Sequence, residues 1–354
     1  MPIRTALTEL LGLSHPIVQA PMAGTTTPEL VAAVSGAGAL GSHGCAAIPP
    51  ERLREENAAI RARSNGAFNL NFFCHDPPRE DAARDARLLE THAPLYAAAG
   101  ATPPEGPPEA GGAPFSAEQL EVLLEAPPPV VSFHFGLPDG DAVARLKRAG
   151  CRILSTATTV AEARDLDARG VDALIAQGWE AGGHRGHFLA DSEEAAVGLF
   201  ALLPQVVDAV GVPVIAAGGI ADGRGIAAAL ALGAAGVQIG TAFVLAEESA
   251  APERHRAAVA DGGDAGSRVT RAHSGRPARA HRTAHIDAMA GAETADFPLM
   301  YHYSVPLQQA DPDRYQFSLY GQGAGLARAM PAAALVERLA VEAEEAFARL
   351  PGPR

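Results

Sequence analysis

Cysteine is scarce in this chain of 354 residues: there are three, Cys45, Cys74 and Cys151, far apart. That excludes a disulfide framework and a zinc site with closely spaced ligands, and reads as free thiols in a reducing compartment. Positive charge is also in deficit, with 28 Lys and Arg against 41 Asp and Glu and a formal net charge of −13. No sustained basic stripe is present to displace counterions from phosphates, so nucleic acid is not an expected partner. The nearest approach, "RVTRAHSGRPARAHR" (Arg268 to Arg282), reads as a solvated loop. Long apolar runs are missing as well. None approaches the span of a bilayer, and the N-terminal "MPIRTALTELLGLSHPIV" lacks the basic start, apolar stretch and cleavage site of an export signal. The expectation is a protein without a membrane partner, in the cytoplasm.

What is present is apolar bulk: 47% of the residues are hydrophobic, enough for a large core in a folded globular chain. Short apolar runs alternate with helical patterns. "PIVQAPM" (Pro16 to Met22) precedes "TPELVAAVSGAG", in which Thr27 is placed to cap and Pro28 takes the first helical position. "ALGSHGC" (Ala39 to Cys45) is followed by "PPERLREENAAIRARS", acidic early and basic late as a helix dipole favours. "FNLNFF", "VVSFHFG", "RILSTAT", "ALIAQG", "PVIAAGGI" and "GVQIGTAF" bring the candidate strands to about eight, with glycine-ended helical segments between the later ones. Strand and helix in alternation mean a parallel sheet, and the count matches a (β/α)8 TIM barrel.

A doubly wound open sheet alternates too. Its glycine fingerprint is matched literally by "GAGALG" (Gly36 to Gly41), but here the motif closes a helix and enters a strand, the reverse of what dinucleotide binding needs. Two stretches break the pattern. "AAAGATPPEGPPEAGGAP" (Ala97 to Pro114) is low-complexity and reads as an exposed loop in the third βα unit. From Glu247 to about Pro312 strand periodicity is lost, before the amphipathic "GAGLARAMPAAALVERLAVEAEEAFARL". The expected division is a barrel over residues 1–246 and a mostly helical C-terminal extension over 247–354 that covers the barrel mouth.

In a barrel the chemistry gathers where strands end. "AQGWEAGGHRGHF" (Ala176 to Phe188) lies at such an end and combines glycines, which let backbone approach a ligand, with His184 and His187. Gly218 and Gly219 leave the seventh barrel strand; Gly240 and Thr241 leave the eighth. Glycines at both loops are arranged as a phosphate site built from backbone N–H groups, to which Thr241 adds a hydroxyl. Neither a nucleotide-binding "GxxxxGK[ST]" nor "HExxH" occurs, and His184 and His187 have no carboxylate at a spacing that suits a metal. No metal is expected.

The motifs "PIVQAPMAGTTTPELVAAVSGAGALG", "NLNFF", "VVSFHFGLP", "AQGWEAGGHRGHF" and "VPVIAAGGIADGRGIAAALALGAAGVQIGTAF", followed by "SGRPAR" and "YGQGAG", resemble those of the nitronate monooxygenase family in the same order. The resemblance covers nearly the whole chain. It implies a TIM barrel that holds one FMN noncovalently, with Met22 against the flavin ring, Asn71 and Gln177 hydrogen-bonding the cofactor and Gly182 beside it. Gly218, Gly219 and the run Gln238, Ile239, Gly240 and Thr241 would take the phosphate end. His184 matches the catalytic histidine, as a neutral base or as a cation stabilising the nitronate. His134 matches a second active-site histidine that touches substrate, while His187 reads as structural. The family commonly has "GVN" where this chain has "NLN" (Asn69 to Asn71), and Tyr320 stands where an aromatic precedes the final "GQ". Around "MYHYSVPLQQA" the match is loose, and Tyr301 and Tyr303 are candidates for substrate contact. The implied reaction is FMN-dependent oxidation of an alkyl nitronate, such as propionate 3-nitronate, with O2 to a carbonyl compound and nitrite. Two alternatives stay open: an NADH-dependent flavin barrel reductase acting on quinones or enoyl thioesters, and a barrel that has lost FMN and serves as a binding protein. The partners expected are the small molecules, with a homodimer allowed.

Overall fold

Local signals set the first units of the fold. Thr27 accepts a hydrogen bond from Leu30 N at 3.0 Å and Pro28 opens the helix Pro28–Gly36, each removing a problem that a helix start otherwise leaves with unpaired N–H groups. The chain then turns through Gly38, at φ 83°, into the second strand. The glycine cluster here is a helix-to-strand turn, as its position in the sequence implies.

A computed structural model describes residues 3–108, 114–189 and 196–349. Its strands are β1 (Ile17–Gln19), β2 (Gly41–Gly44), β3 (Phe68–Phe73), β4 (Val130–His134), β5 (Arg152–Ala157), β6 (Ala173–Gln177), β7 (Gly183–His184), β8 (Val214–Ala217), β9 (Gly236–Ile239), β10 (Ser267–Thr270) and β11 (Ala278–His281). Eight of them pair in parallel in the order β1-β9-β8-β6-β5-β4-β3-β2. A parallel bridge between Val18 and Leu40, with Gln19 N donating to Leu40 O at 2.9 Å, joins the two ends. The fold is a (β/α)8 barrel. All eight strands fall inside the eight apolar runs, which continue past the last paired residue into the loops of the barrel mouth.

The N-terminal helix Ala6–Leu11, capped by Thr5 with Thr8 and ended by Gly12 at φ 67°, is not among the helices read from the sequence. It packs Leu7 and Leu11 with Val18, Leu40, Val130, Leu154 and Ile215, and Thr5 Oγ1 donates to Ala235 O at 2.6 Å. Since Ala235 precedes β9, this helix plugs the end at which the strands begin. That end is closed with hydrocarbon, and the opposite mouth is left for ligands.

The low-complexity stretch begins differently from expectation: Ala97–Ala99 complete the helix Ala82–Ala99, which Gly100 ends in a left-handed conformation at φ 65°. Residues 101–108 are loop, and 109–113 lie outside the described residues. The region after β9 is also corrected. It does contain strands: β10 and β11 form an antiparallel pair, and β7 adds to β11 with Ala278 opposite His184. The final helix Ala332–Ala348 does not cover the mouth. It packs on the flank against Gly223–Ala231 and Pro28–Gly36, completing the outer ring between the helices that follow β8 and β1.

Candidate active site

A cavity of about 670 Å³ opens at the C-terminal ends of the strands. Ala20 to Thr25 line it after β1, Asn71 and Phe73 come from β3, and His134 and Gln177 from the ends of β4 and β6. Gly182, Gly183 and His184 enter from β7 and the loop before it, and Gly218 and Gly219 after β8. Gln238, Gly240 and Thr241 enter from β9 and its loop, and Tyr301 from the helix Tyr301–Ala310. The structure thus brings together nearly all the residues singled out from the sequence.

Two of them are elsewhere. Ile239 is fully buried and packs in the apolar core between barrel and helices; strand side chains alternate, so Gln238 faces the cavity and Ile239 faces away. Tyr303 is 1% exposed, packs with Leu88 and Met300, and donates its hydroxyl to Asp85 Oδ1 at 2.9 Å. It is a core residue, and the substrate contact expected of it is corrected here.

The glycine rim holds backbone conformations and close approaches that side chains would not allow. Gly218 and Gly219 adopt φ of 118° and 69°, a region that side-chain-bearing residues rarely occupy. A Cβ on Gly182 would lie 2.5 Å from Gly321 N and from Tyr320 C, so the "EAGG" and "YGQG" loops pack backbone to backbone. Gly321 N donates to Thr241 Oγ1 at 2.9 Å, which leaves the threonine hydroxyl proton free to be donated. Tyr320 is an anchor: its hydroxyl donates to Gly266 O at 2.7 Å. Gln238 lines the cavity, and its buried Oε1 has no hydrogen-bond partner among the described residues.

The Met22 turn forms the wall next to β2. Thr26 Oγ1 donates to Met22 O at 3.1 Å and accepts from Gly44 N at 3.1 Å. His43 Nδ1 lies 3.2 Å from the same oxygen, and His43 Nε2 lies 2.6 Å from Glu56 Oε2. Burial alone would raise the Glu56 carboxyl, but hydrogen bonds from His43 and Arg52 bring it below its ordinary value.

His134 and Gln177 share the His184 carbonyl. His134 Nε2 is 3.1 Å from His184 O and Gln177 Nε2 donates to it at 3.0 Å, while Gly186 N donates to Gln177 Oε1 at 2.8 Å. His134 Nδ1 lies 3.1 Å from Thr156 Oγ1. Both nitrogens of His134 are therefore engaged by protein, and the ring orients the His184 loop where substrate contact was expected. Gln177 does the same with both ends of its amide. Asn71 Nδ2 is engaged too, with Ser132 Oγ at 2.8 Å.

The imidazole of His184 is set by Ser274, a residue of the "SGRPAR" motif whose role was not read from the sequence. Ser274 Oγ lies 2.9 Å from His184 Nε2 and donates to Arg276 O at 3.1 Å. With the hydroxyl proton directed to that carbonyl, Nε2 carries the imidazole proton and Nδ1 keeps its lone pair. Nδ1 has no hydrogen-bond partner among the described residues. Burial, then the repulsion that a proton on the ring meets from His134, Arg276 and His75 in their protonated forms, lowers His184 to about 3. Burial also lowers His134 to about 3, against the pull of the His184 carbonyl. Burial favours the neutral form of both rings. His187, also lowered by burial, to about 4, does not line the cavity.

Further residues escaped sequence reasoning. Phe135, just past β4, holds φ 69° without being glycine, a strained conformation that packing must enforce. The Arg276 guanidinium sits 4.0 Å over its ring. Arg185, 1% exposed, donates Nη1 to Gln177 O and Gly178 O at 3.1 and 2.7 Å. It clamps the end of β6 and faces away from the ligand space. No cluster of three His, Cys, Asp or Glu among the described residues is placed to hold a metal.

The family model for nitronate monooxygenase matches residues 4–342. A nitronate monooxygenase of Paraburkholderia phytofirmans is 44% identical, over 98% of this chain and 97% of its own length. Among solved structures, a nitroalkane oxidase from Streptomyces ansochromogenes superposes with a TM-score of 0.90 at 42% identity, covering 98% of this chain and 100% of that one. FabK from Thermotoga maritima superposes less well, with a TM-score of 0.76 at 32% identity and 98% coverage of both chains. A glycine rim and a held imidazole share one barrel mouth, and the chain, matched along almost its whole length, belongs to the nitronate monooxygenase family of flavin-dependent oxidoreductases.

Proposed function

We propose that this chain binds one FMN noncovalently and uses it with O2 to convert alkyl nitronates, such as propionate 3-nitronate, to a carbonyl compound and nitrite. One observation carries the reading: a single cavity contains both the left-handed glycine rim and a neutral imidazole whose Nδ1 is open. The residues fit a flavin because Gln238, whose Oε1 lacks a partner among the described residues, lines the cavity, and the rim backbone at Gly218 and Gly219 holds conformations that glycine adopts readily. Gly218, Gly219 and Gly240 offer backbone N–H groups to the phosphate and Thr241 its hydroxyl. Gln238 and Asn71 meet polar edges of the ring, and Met22 and Gly182 provide the walls that it lies against.

FMN, when bound, supplies the redox chemistry between nitronate and O2. The protein's tasks are binding, orientation and charge. His184 Nδ1 accepts a proton from the carbon beside the nitro group when the substrate arrives as the neutral nitroalkane. For a nitronate no such removal is needed. His134 and Gln177 keep the His184 loop in register, and Tyr301 closes the pocket. Overall, two nitronates and one O2 give two carbonyl compounds and two nitrite ions: each C=N bond is replaced by a C=O whose oxygen comes from O2, and each nitrogen leaves as nitrite.

The test is oxygen uptake with nitrite release on propionate 3-nitronate, run beside NADH. Nitrite formed with O2 consumed supports the proposal. The likeness to FabK favours a second reading, the NADH-dependent reductase: rapid anaerobic flavin bleaching by NADH with no response to nitronate would replace the first reading with it.

A further inference from the structure

Aromatic residues make up 5% of the sequence, yet four phenylalanines surround one imidazole. The His184 ring centroid lies 5.3 Å from Phe297, 6.0 Å from Phe317, 6.2 Å from Phe135 and 6.3 Å from Phe73. Phe73, Phe297 and Phe317 line the cavity, and Tyr301 closes the wall at 6.3 Å from both Phe297 and Phe317.

Strand order places this wall. Phe73 ends β3 and Phe135 follows β4, and in the barrel circuit these strands stand opposite β8 and β9, from which the glycine rim rises. Charge is distributed the same way. Among the described residues lining the cavity there is no Lys, Asp or Glu, and the single Arg is Arg254. It belongs to the helix Glu253–Ala260, which is tied to the segment after Thr241 by Arg256 donating to Ala246 O at 2.8 Å. Arg254 is thus on the glycine side. The other nearby cation, Arg276, sits over the Phe135 ring and does not line the cavity.

We propose that this wall is the subsite for the organic part of the substrate, and that it selects nitronates with a hydrocarbon substituent, alkyl or aryl, over those bearing a carboxylate. The proposal rests on the nitronate reading above and deepens it. A hydrocarbon group placed beside His184 leaves water for phenyl faces, which is favourable. A carboxylate in the same place loses its hydration and meets no Lys or Arg side chain in this wall to replace it. Propionate 3-nitronate is then a substrate of low efficiency.

The experiment uses the full FMN-loaded chain. kcat/KM is measured for the nitronates of 1-nitrohexane and phenylnitromethane against propionate 3-nitronate. The expected ratio is at least about tenfold in favour of the hydrocarbons, the effect of burying one such group; equal values or a preference for the carboxylate overturn the proposal. A second readout involves no turnover: nitrobenzene, which has no carbon-bound proton beside the nitro group, and 4-nitrobenzoate are titrated by the change in flavin absorbance. Nitrobenzene is expected to bind at least about tenfold more tightly, and Phe297→Leu to narrow that gap. Equal binding of the two, or a gap untouched in Phe297→Leu, refutes the subsite. If no nitronate turns over, the reaction assignment fails while the titration still judges the wall.

Discussion

His184 Nε2 and Ser274 Oγ lie 2.9 Å apart, joining the short strand β7 to the turn between β10 and β11. The contact orients the imidazole and chooses its tautomer. Ser274→Ala should keep FMN and the fold but lower nitrite production about tenfold, the value of one lost hydrogen bond at a reacting group, and Ser274→Thr should restore most of it. His184→Asn should also retain FMN and lose most turnover. Full activity in Ser274→Ala would show that the ring is held by its phenylalanine neighbours alone.

The buried histidines make stability depend on pH. Folded His134 and His184 are lowered to about 3 and His285 to about 4, whereas the unfolded chain binds these protons near its ordinary value of about 6.5. Between those limits the unfolded state holds more protons, so stability falls as pH is lowered, by up to about 1.4 kcal/mol per pH unit for each such histidine. Above the ordinary value these groups contribute a constant amount. Urea midpoints measured from pH 8 down to 4 should be level at first and then decline. Proton removal by His184 should likewise show no loss near pH 6.5, because the folded base is already neutral there.

Thr26 supports the Met22 turn with three contacts from one oxygen. Thr26→Val keeps the shape and leaves Gly44 N and the Met22 carbonyl without that oxygen. Loss of buried hydrogen bonds of this kind costs about 1–3 kcal/mol. FMN affinity, read by quenching of flavin fluorescence, should drop about tenfold if half of that loss falls on the holo form; an unchanged Kd would mean that the turn is not part of the flavin wall.

Gly182 has no room for a side chain. In Gly182→Ala the new Cβ meets the backbone of Tyr320 and Gly321, which cannot swing aside as a flexible side chain would. The two loops must separate, and with them Thr241 loses the Gly321 donor. Purified Gly182→Ala should carry much less FMN than the parent at equal protein concentration. Full loading would place the loop contact outside cofactor binding.

Much of this was legible from residues alone. The eight strands show as apolar runs because a parallel sheet covered on both faces is apolar on both sides, and Thr27 with Pro28 marks a helix start by local chemistry. The separation of Gln238 from Ile239 was legible in principle, since adjacent strand residues face opposite ways. Tyr301 and Tyr303 differ for a related reason: two residues apart on a helix turn nearly to opposite faces, so one meets the cavity and the other Asp85. Which of them faces in depends on how that helix is laid over the mouth. Strands of two to four residues, such as β7, β10 and β11, are too short for any periodicity to show.

The sequence by itself determined the barrel, its strand order along the chain, the glycine rim and the histidine at position 184, because each rests on short-range patterns that survive without knowledge of neighbours. Only the tertiary structure decided that His134 is spent on a carbonyl, that Ser274 sets the His184 tautomer and that four phenylalanines enclose it. Those relations join β3, β4, β7 and the region after β9, segments far apart in the chain, and burial and hydrogen bonding among them exist only once the barrel has closed.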